Sequence, residues 1–188
     1  MSTTPTDLPS CSIVRELLSR HVPVDGGEQR SLERIRELVE TGAAPFSRAH
    51  FVPGHLTASA IVLDENRERA LLIFHEKLQR WLQPGGHFEP GESDPSVAAA
   101  REVLEETFTQ TAWPGAQPVL LDVDVHLIPA RKSDPAHEHF DLRMLLLGAS
   151  NSAVAGDGVT QARWVRPAEF ASLDLDPGLA RMLRKVFK

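Results

Sequence analysis

The run of residues 85–106 constrains this chain most, because a glycine pair there precedes a helix-forming segment with three glutamates. Glu102, Glu105 and Glu106 are spaced i, i+3 and i+4, so an α-helix places them on one face. Three carboxylates on one face repel each other, and a bound divalent cation relieves that repulsion. The run therefore predicts a helix that presents a cation site on one of its faces.

Composition narrows the class of protein. The 188 residues suffice for one ordinary domain with an extension, and the net charge of -6 argues against a general nucleic-acid-binding surface. This net charge does not exclude a nucleotide substrate that is held through a metal ion. Cys11 is the single cysteine, which fits a reducing cytoplasm. The sequence shows no signal-peptide pattern and no apolar run of the ~20 residues that a membrane span needs, so we expect a cytoplasmic protein without membrane partners.

Two amphipathic helices are predicted near the start of the chain, over residues 11–22 and 28–41. Pro23 and the Gly26-Gly27 pair separate them, and Gly42 is a plausible C-cap of the second. Short helices of this kind cannot bury their apolar faces alone. We expect residues 1–48 to form a helical extension of a main domain at 49–188, docked on that domain or contributing to a homodimer interface.

The main domain alternates strands and helices. Strands are predicted over 57–63, 70–76, 118–129, 137–147 and 162–165, and helices over 95–107, 167–172 and 177–187. This order predicts an α/β (α+β) fold with a mixed sheet between helices, and not a doubly wound parallel sheet. Within the helix over 95–107, the spacing of Val97, Ala100 and Leu104 predicts that these three residues face the core.

The chemistry that such a run can support is cleavage of a phosphoanhydride. That reaction needs charge neutralisation on the phosphates and an activated water, both of which Mg²⁺ supplies through oxygen ligands. Glu102, Glu105 and Glu106 provide carboxylates, and paired glycines let the backbone approach an ion closely. Arg101 is spaced to pair with Glu105 on the helix, and Glu92 lies in the loop that leads to it.

The segment resembles the signature of the Nudix hydrolases, Gly-x5-Glu-x7-Arg-Glu-U-x-Glu-Glu-x-Gly-U, where U is aliphatic. Gly86, Glu92 and the run from Arg101 to Glu106 match it. Eight residues rather than seven separate Glu92 from Arg101, which leaves the pairing of these two side chains open. Phe108 and Thr109 stand where the signature has glycine and an aliphatic residue, which leaves the end of the helix open.

The resemblance implies a site and a reaction. The carbonyl of Gly85, with Glu105 and Glu106, would ligate Mg²⁺, for which Mn²⁺ could substitute. Glu102 would be a further ligand or would hold a water bound to the metal, and Arg101 would orient the glutamates; Glu102, Glu105 and Arg101 are the expected catalytic residues. The implied fold is a mixed sheet between helices. The implied reaction is hydrolysis of a nucleoside diphosphate linked to another group, with a small-molecule nucleotide or other diphosphate as substrate.

Three residues on the strand over 137–147 are further candidates. His137, His139 and Asp141 share one face of that strand, and His126 lies on the preceding one. We expect His139 and Asp141 to contact the substrate, and Asp141 or Glu138 to supply an additional metal ligand or base if that face looks into the site. The alternative is a solvated edge strand. A separate histidine-rich transition-metal site stays open, since spacing alone does not define one.

Two residues beside the glycine loop complete the candidates. Trp81 is expected to stack on a base or sugar and His87 to contact phosphate, with ordinary packing as the alternative for both.

The competing function is a non-hydrolytic nucleotide-binding or regulatory module on the same fold. The intact glutamates argue against it, because a retired site has no reason to hold repelling carboxylates. A third candidate function is that of the diphosphate isomerase that shares this fold. Its chemistry resembles one that needs a catalytic cysteine in the sheet, whereas Cys11 lies in the extension.

Overall fold

The computed structural model describes residues 10–41, 44–131, 134–150 and 152–187, so the predicted C-cap Gly42 lies outside the described residues. The helices are α1 (Ser12–Arg20), α2 (Gly26–Thr41), α3 (Pro95–Thr107) and α4 (Pro177–Val186), with a 3-10 helix at Pro167–Ser172. The strands are β1 (Gly54–Leu63), β2 (Ala70–His75), β3 (Arg80–Leu82), β4 (Gly85–His87), β5 (Thr111–Ala112), β6 (Val119–Ile128), β7 (His137–Gly148) and β8 (Val159–Val165). No helix of the described ranges is long and apolar enough to cross a membrane.

Strand β1 is the centre of a mixed sheet that has eight strands among the described residues. It pairs in parallel with β7, from Gly54 opposite Glu138 to Leu63 opposite Leu147. It pairs antiparallel with β2 and with β4. Strand β2 also pairs antiparallel with β3 and β8, and β7 pairs antiparallel with β6. With helices packed on the sheet, this arrangement confirms the predicted fold class.

One face of the sheet carries the larger apolar core. Every second residue of β1 from Leu56 to Val62 points into it, as the two-residue period of a strand requires. Helices α1, α2 and α3 cover this face, so α1 and α2 pack on the sheet rather than stand free. Their buried side chains in this core include Val14, Leu18, Leu32, Ile35, Ala98, Ala99 and Val103.

The opposite face is divided into an apolar and a polar half. Ile61 and Leu63, at the end of β1, pack with Leu179 and Met182 of α4. Nearer the start of β1 and β7 the same face carries buried histidine, threonine, serine, aspartate and arginine side chains. These buried polar residues are His55, Thr57, Ser59, Asp122, His137, Asp141 and Arg143.

A buried ion network joins α2 and α4 to this polar half. Asp122, whose side chain is fully buried, accepts hydrogen bonds from Arg143, Arg181 and Lys185. Lys185 also pairs with the buried Glu28 of α2. Burial opposes ionisation of Asp122, but the hydrogen bonds from Arg181 and Lys185 and the charge of Arg143 hold its pKa below the usual range. Buried charges are retained only with partners of this kind.

The predicted inward face of α3 was wrong for Val97 and Leu104, whereas Ala100 packs against the core as predicted. Val97 and Leu104 are 49% and 45% exposed, whereas Ala98, Ala99 and Val103 are fully buried. The small side chains of Ala98 and Ala99 let α3 lie close to β1. The larger Val97 and Leu104, which the helical spacing placed toward the core, remain exposed.

Several boundaries differ from the prediction. Strand β1 begins at Gly54, three residues before the predicted start, and the short strands β3 and β4 were missed. Gly26 and Gly27, predicted to separate the first two helices, form the first turn of α2. Strands of three residues carry too few side chains for alternation to be recognised.

Candidate active site

The site begins where strand β4 leads through a loop into α3. Asp94 caps the helix: its carboxylate accepts a hydrogen bond from the backbone N–H of Ser96 at 2.9 Å, and Pro95 occupies the first helical position. The helix therefore starts at a fixed residue. Its second and third turns present the glutamates toward β4.

Other atoms lie very close to both glycines of β4. A Cβ on Gly86 would lie 2.6 Å from a carboxylate oxygen of Glu102, and one on Gly85 would lie 2.3 Å from the Cβ of Ser59. The backbone N–H of Gly85 donates to Glu106 at 3.0 Å. Strand β4 is thus held between β1 and α3, which brings the backbone N–H of Gly85 against Glu106 and brings Gly86 against Glu102.

Arg101 connects the loop to the helix. Its Nε and Nη2 each donate to a different carboxylate oxygen of Glu92 at 3.0 Å, and Nη2 also donates to the carbonyl of His87 at 2.8 Å. Its Nη1 donates to Glu102 at 2.9 Å and to Glu105 at 3.1 Å. One guanidinium therefore orients Glu92 and two of the three helical glutamates.

The extra residue before Arg101 does not prevent this contact. The loop closes on itself, since the N–H of Glu92 donates to the carbonyl of Glu89 at 3.0 Å and the N–H of Glu89 donates to the Glu92 carboxylate at 2.8 Å. This turn fixes the position of Glu92. The remaining residues up to Pro95 absorb the additional length.

The C-terminal end of α3 is formed without the glycine of the signature. Phe108 adopts the left-handed conformation with φ of 52°, and its N–H donates to the carbonyl four residues earlier at 2.9 Å. The N–H of Val154 donates to the carbonyl of Thr107 at 3.1 Å, and that of Gly156 to the carbonyl of Glu106 at 2.7 Å. The helix thus ends at Thr107, and backbone donors of the following loop satisfy its last carbonyls.

Burial opposes ionisation of two of the three helical glutamates, Glu102 and Glu106. It raises the pKa of Glu106 to about 8, with a hydrogen bond from Gly85 opposing the shift, and it also raises the pKa of Glu102. The hydrogen bond from Arg101 lowers the pKa of Glu92. Clustered carboxylates are hard oxygen donors, so they fit a divalent ion such as Mg²⁺.

His87 lies beside the carboxylates, but its ring points to other histidines. The ring centroid is 5.1 Å from that of His55 and 5.0 Å from that of His139. Burial, with the nearby charge of protonated His55 and of Arg48, lowers the pKa of His87 to about 4. The predicted phosphate contact of His87 would therefore use a neutral imidazole at neutral pH.

The structure separates the roles that were predicted for His139 and Asp141. His139 lies opposite His126 of β6 and beside His55 of β1. Asp141 is 4% exposed, and its carboxylate accepts from Thr57 at 3.1 Å, Ser59 at 2.8 Å and Arg143 at 3.0 Å. Because three donors already fill its oxygens, Asp141 fits a structural role better than the predicted contact with substrate.

Trp81 is also engaged within the protein. Its ring packs edge-to-face on Phe74 at 5.4 Å, and the guanidinium of Arg163 lies over it at 4.9 Å from the ring centroid. These contacts hold it at the edge formed by β3, β2 and β8. The predicted stacking on a base or sugar stays a prediction.

The sequence interpretation overlooked His55 and Arg143. His55 lies at the second position of β1, before the segment that was predicted as a strand, so its alternation with Thr57 and Ser59 was not noticed. Arg143 lies two residues after Asp141 on the same strand, and it was not among the candidates. The alternating polar residues at the starts of β1 and β7 were the available signal for both.

Comparison with known proteins agrees with this geometry. A family model described as the NUDIX domain matches residues 53–186. Among solved structures, a Nudix-family hydrolase from Clostridium perfringens is 21% identical with a TM-score of 0.52, covering 70% of this chain and 95% of that one. The dihydroneopterin triphosphate pyrophosphohydrolase of E. coli is 17% identical with a TM-score of 0.51, covering 70% and 94%.

A third solved structure covers more of the chain. The NUDIX domain of NrtR from Shewanella oneidensis, in complex with ADP ribose, is 14% identical with a TM-score of 0.50 and covers 80% of this chain and 94% of its own. These identities show a shared fold, and the family model shows the family. The chain therefore belongs to the Nudix family of hydrolases, which act on pyrophosphate bonds.

Proposed function

We propose that this protein is a Mg²⁺-dependent pyrophosphohydrolase that cleaves a phosphoanhydride in a nucleoside diphosphate linked to another group. The observation that carries the proposal is the cluster of Glu102, Glu105 and Glu106, in which Arg101 holds the first two carboxylates and the Gly85 N–H holds the third. These hydrogen bonds hold three mutually repelling carboxylates close together. Such an arrangement is expected where a cation binds, because the cation relieves the repulsion.

The residues that would hold Mg²⁺, or Mn²⁺ in its place, are the carbonyl of Gly85 and the carboxylates of Glu102, Glu105 and Glu106. When bound, the ion neutralises phosphate charge and makes water more acidic. The donor set is all oxygen, which favours these ions over softer ones.

The protein groups would orient the reactants and move one proton. The oxygen of a water attacks one phosphorus, the bridging P–O bond breaks, and two phosphorylated products result. Glu102 or Glu105 is the base that takes the proton from this water, because both carboxylates are oriented by Arg101.

The test is a hydrolysis assay on a panel with Mg²⁺. ADP ribose and dihydroneopterin triphosphate belong in it, because proteins with this fold are named for them or bind them. The panel also includes dinucleoside polyphosphates and nucleoside triphosphates. We expect at least one compound to be cleaved, and Glu105→Gln and Glu106→Gln to reduce kcat by at least ~100-fold.

The matched control is Glu65→Gln, which removes an exposed carboxylate from the turn after β1 and should leave kcat unchanged. Metal-independent binding of a nucleotide without turnover would favour the alternative, a non-hydrolytic module. Turnover that survives both glutamate substitutions would refute the proposed site.

The extension and the location of the protein complete the proposal. We propose that residues 1–48 are an integral extension, because α1 and α2 share the apolar core with β1 and α3. Homodimerisation, which light scattering would test, and a cytoplasmic location, which fits the single cysteine, stay predictions.

A further inference from the structure

Three histidines meet at the start of strands β1 and β7. His55, His137 and His139 each offer one ring nitrogen, and these atoms lie within 4.8 Å of one another. The parallel register places His55 beside His139. His55 and His137 are 1% and 7% exposed, so the cluster lies inside the protein.

Backbone carbonyls fix the tautomers of two of these rings. Nδ1 of His55 lies 3.1 Å from the carbonyl of His50, and Nδ1 of His137 lies 2.8 Å from the carbonyl of Pro135. A ring nitrogen that faces a carbonyl must donate a proton to it. In the neutral rings, Nε2 therefore keeps its lone pair, which is the arrangement by which proteins orient histidine ligands of metals.

The lone pair of His55 has no partner. Its Nε2 is buried and accepts no hydrogen bond among the described residues. A buried polar atom without a partner is unfavourable and calls for an explanation. The ring centroids of His55, His137 and His139 are 4.9–5.2 Å apart, so several acceptors share one small volume.

Burial favours the neutral form of two of the three rings. It lowers the pKa of His55, and with the charges of neighbouring histidines it lowers the pKa of His139 to about 2. A shared proton is therefore a poor way to satisfy the lone pairs. Neutral imidazoles are the form that binds metal ions.

We propose that His55, His137 and His139 bind a transition-metal ion, with Zn²⁺ as the fitting ion, at a site distinct from the carboxylates of α3. Three imidazole nitrogens are a zinc ligand set and leave a fourth position for water or an anion. Zn–N bonds of about 2.1 Å in tetrahedral geometry place the nitrogens about 3.4 Å apart. Shifts of about an ångström in the side chains bring the three nitrogens from their present spacing to that distance.

The test starts with chelator-treated protein and Zn²⁺ alone. Calorimetry and elemental analysis should give one tightly bound Zn²⁺ per chain, and Co²⁺ in its place should give visible absorption bands of a tetrahedral site. The wild-type measurement needs no variant, so it decides the question even where a substitution impairs folding. Absence of a stoichiometric ion of micromolar or tighter affinity would overturn the proposal.

Substitutions then locate the ion. His139→Ala, at a partly exposed position, should weaken Zn²⁺ binding by at least ~100-fold, since even indirect partners of metal ligands contribute 10–100-fold. His126→Ala is the matched control: its ring is 5.6 Å from that of His139, but it is not one of the three ligands, so affinity should not change.

A glutamate variant distinguishes this site from the proposed magnesium site. Glu106→Gln should abolish Mg²⁺-dependent hydrolysis and leave Zn²⁺ binding intact. If Glu106→Gln loses the Zn²⁺ while His139→Ala retains it, the ion occupies the carboxylates and the histidine site is refuted. Failure to find any hydrolysed substrate would leave the histidine proposal standing, since it rests on the His55 cluster alone.

Discussion

The contact between Glu92 and Arg101 is the part of the site that the sequence left open, and a double-mutant cycle measures it. The cycle combines Glu92→Gln, which keeps the side-chain shape and removes the charge, with Arg101→Met, which removes the guanidinium. The coupling energy is the stability change of the double variant minus the sum of the two single changes. This difference cancels the contacts of Arg101 with other glutamates.

The structure gives the magnitude. Two hydrogen bonds of 3.0 Å join the groups, whose side chains are 19% and 18% exposed. Charges about 4 Å apart at an effective dielectric constant of about 20 attract by about 4 kcal/mol, and desolvation offsets part of this. Hydrogen bonds to charged groups contribute about 1.5–3 kcal/mol, so we expect a coupling of about 2 kcal/mol.

The assay is urea unfolding, followed by far-ultraviolet circular dichroism in the presence of a chelator. The matched control is the same cycle between Arg101 and Glu105→Gln, whose side chain is 46% exposed, so solvent should limit the coupling to about 0.5 kcal/mol. A Glu92–Arg101 coupling no larger than the Glu105 control would show that the lengthened loop does not hold Glu92 on the helix.

Three further outcomes follow from the same geometry. In chelator, the protein should lose stability as pH rises from about 4.5 to about 8, because burial raises the pKa of Glu106 from its usual 4.5 to about 8, so that the folded state binds a proton that the unfolded state has lost; melting temperature against pH checks this, and Glu106→Gln should flatten the curve. Asp122→Asn should lower the free energy of unfolding by about 3–5 kcal/mol, because it leaves three buried cations underpaired; a urea midpoint near the wild-type value would contradict this. Gly85→Ala should destabilise the fold more than Gly86→Ala, because its Cβ would meet the β1 backbone, whereas that of Gly86 would meet the movable end of a glutamate; Gly86→Ala should chiefly lower kcat, and equal melting temperatures would refute the difference.

Local signals explain what the sequence predicted well. Helix α3 was placed correctly over 95–107, because Asp94 and Pro95 are strong starting residues and the spacing of the glutamates is helical. The side of α3 that faces the core was not predicted correctly, because Ala98, Ala99 and Val103 also fit the helical period. Sequence spacing alone does not tell which of two apolar stripes has the small side chains that close packing on a sheet needs.

Contacts between distant residues were the harder part. His55 meets His137 and His139 only because β1 and β7 pair in parallel in one register. Ser59 reaches Asp141, and Arg143 reaches Asp122, through that same register and its neighbour on β6. A shift of one residue would turn each of these side chains to the other face, so the polar cluster depends on pairing that no local pattern specifies.

Strand β4 connects the two proposed metal sites. The carbonyl of His87 accepts a hydrogen bond from Arg101, the residue that orients the glutamates, while its ring lies against His55 and His139. One site offers only oxygen and the other only nitrogen, so Mg²⁺ and Zn²⁺ should each prefer a different one. Both ions can be present in a protein preparation. The metal dependence of hydrolysis can therefore be interpreted only when it is known whether the histidine cluster holds an ion during the assay.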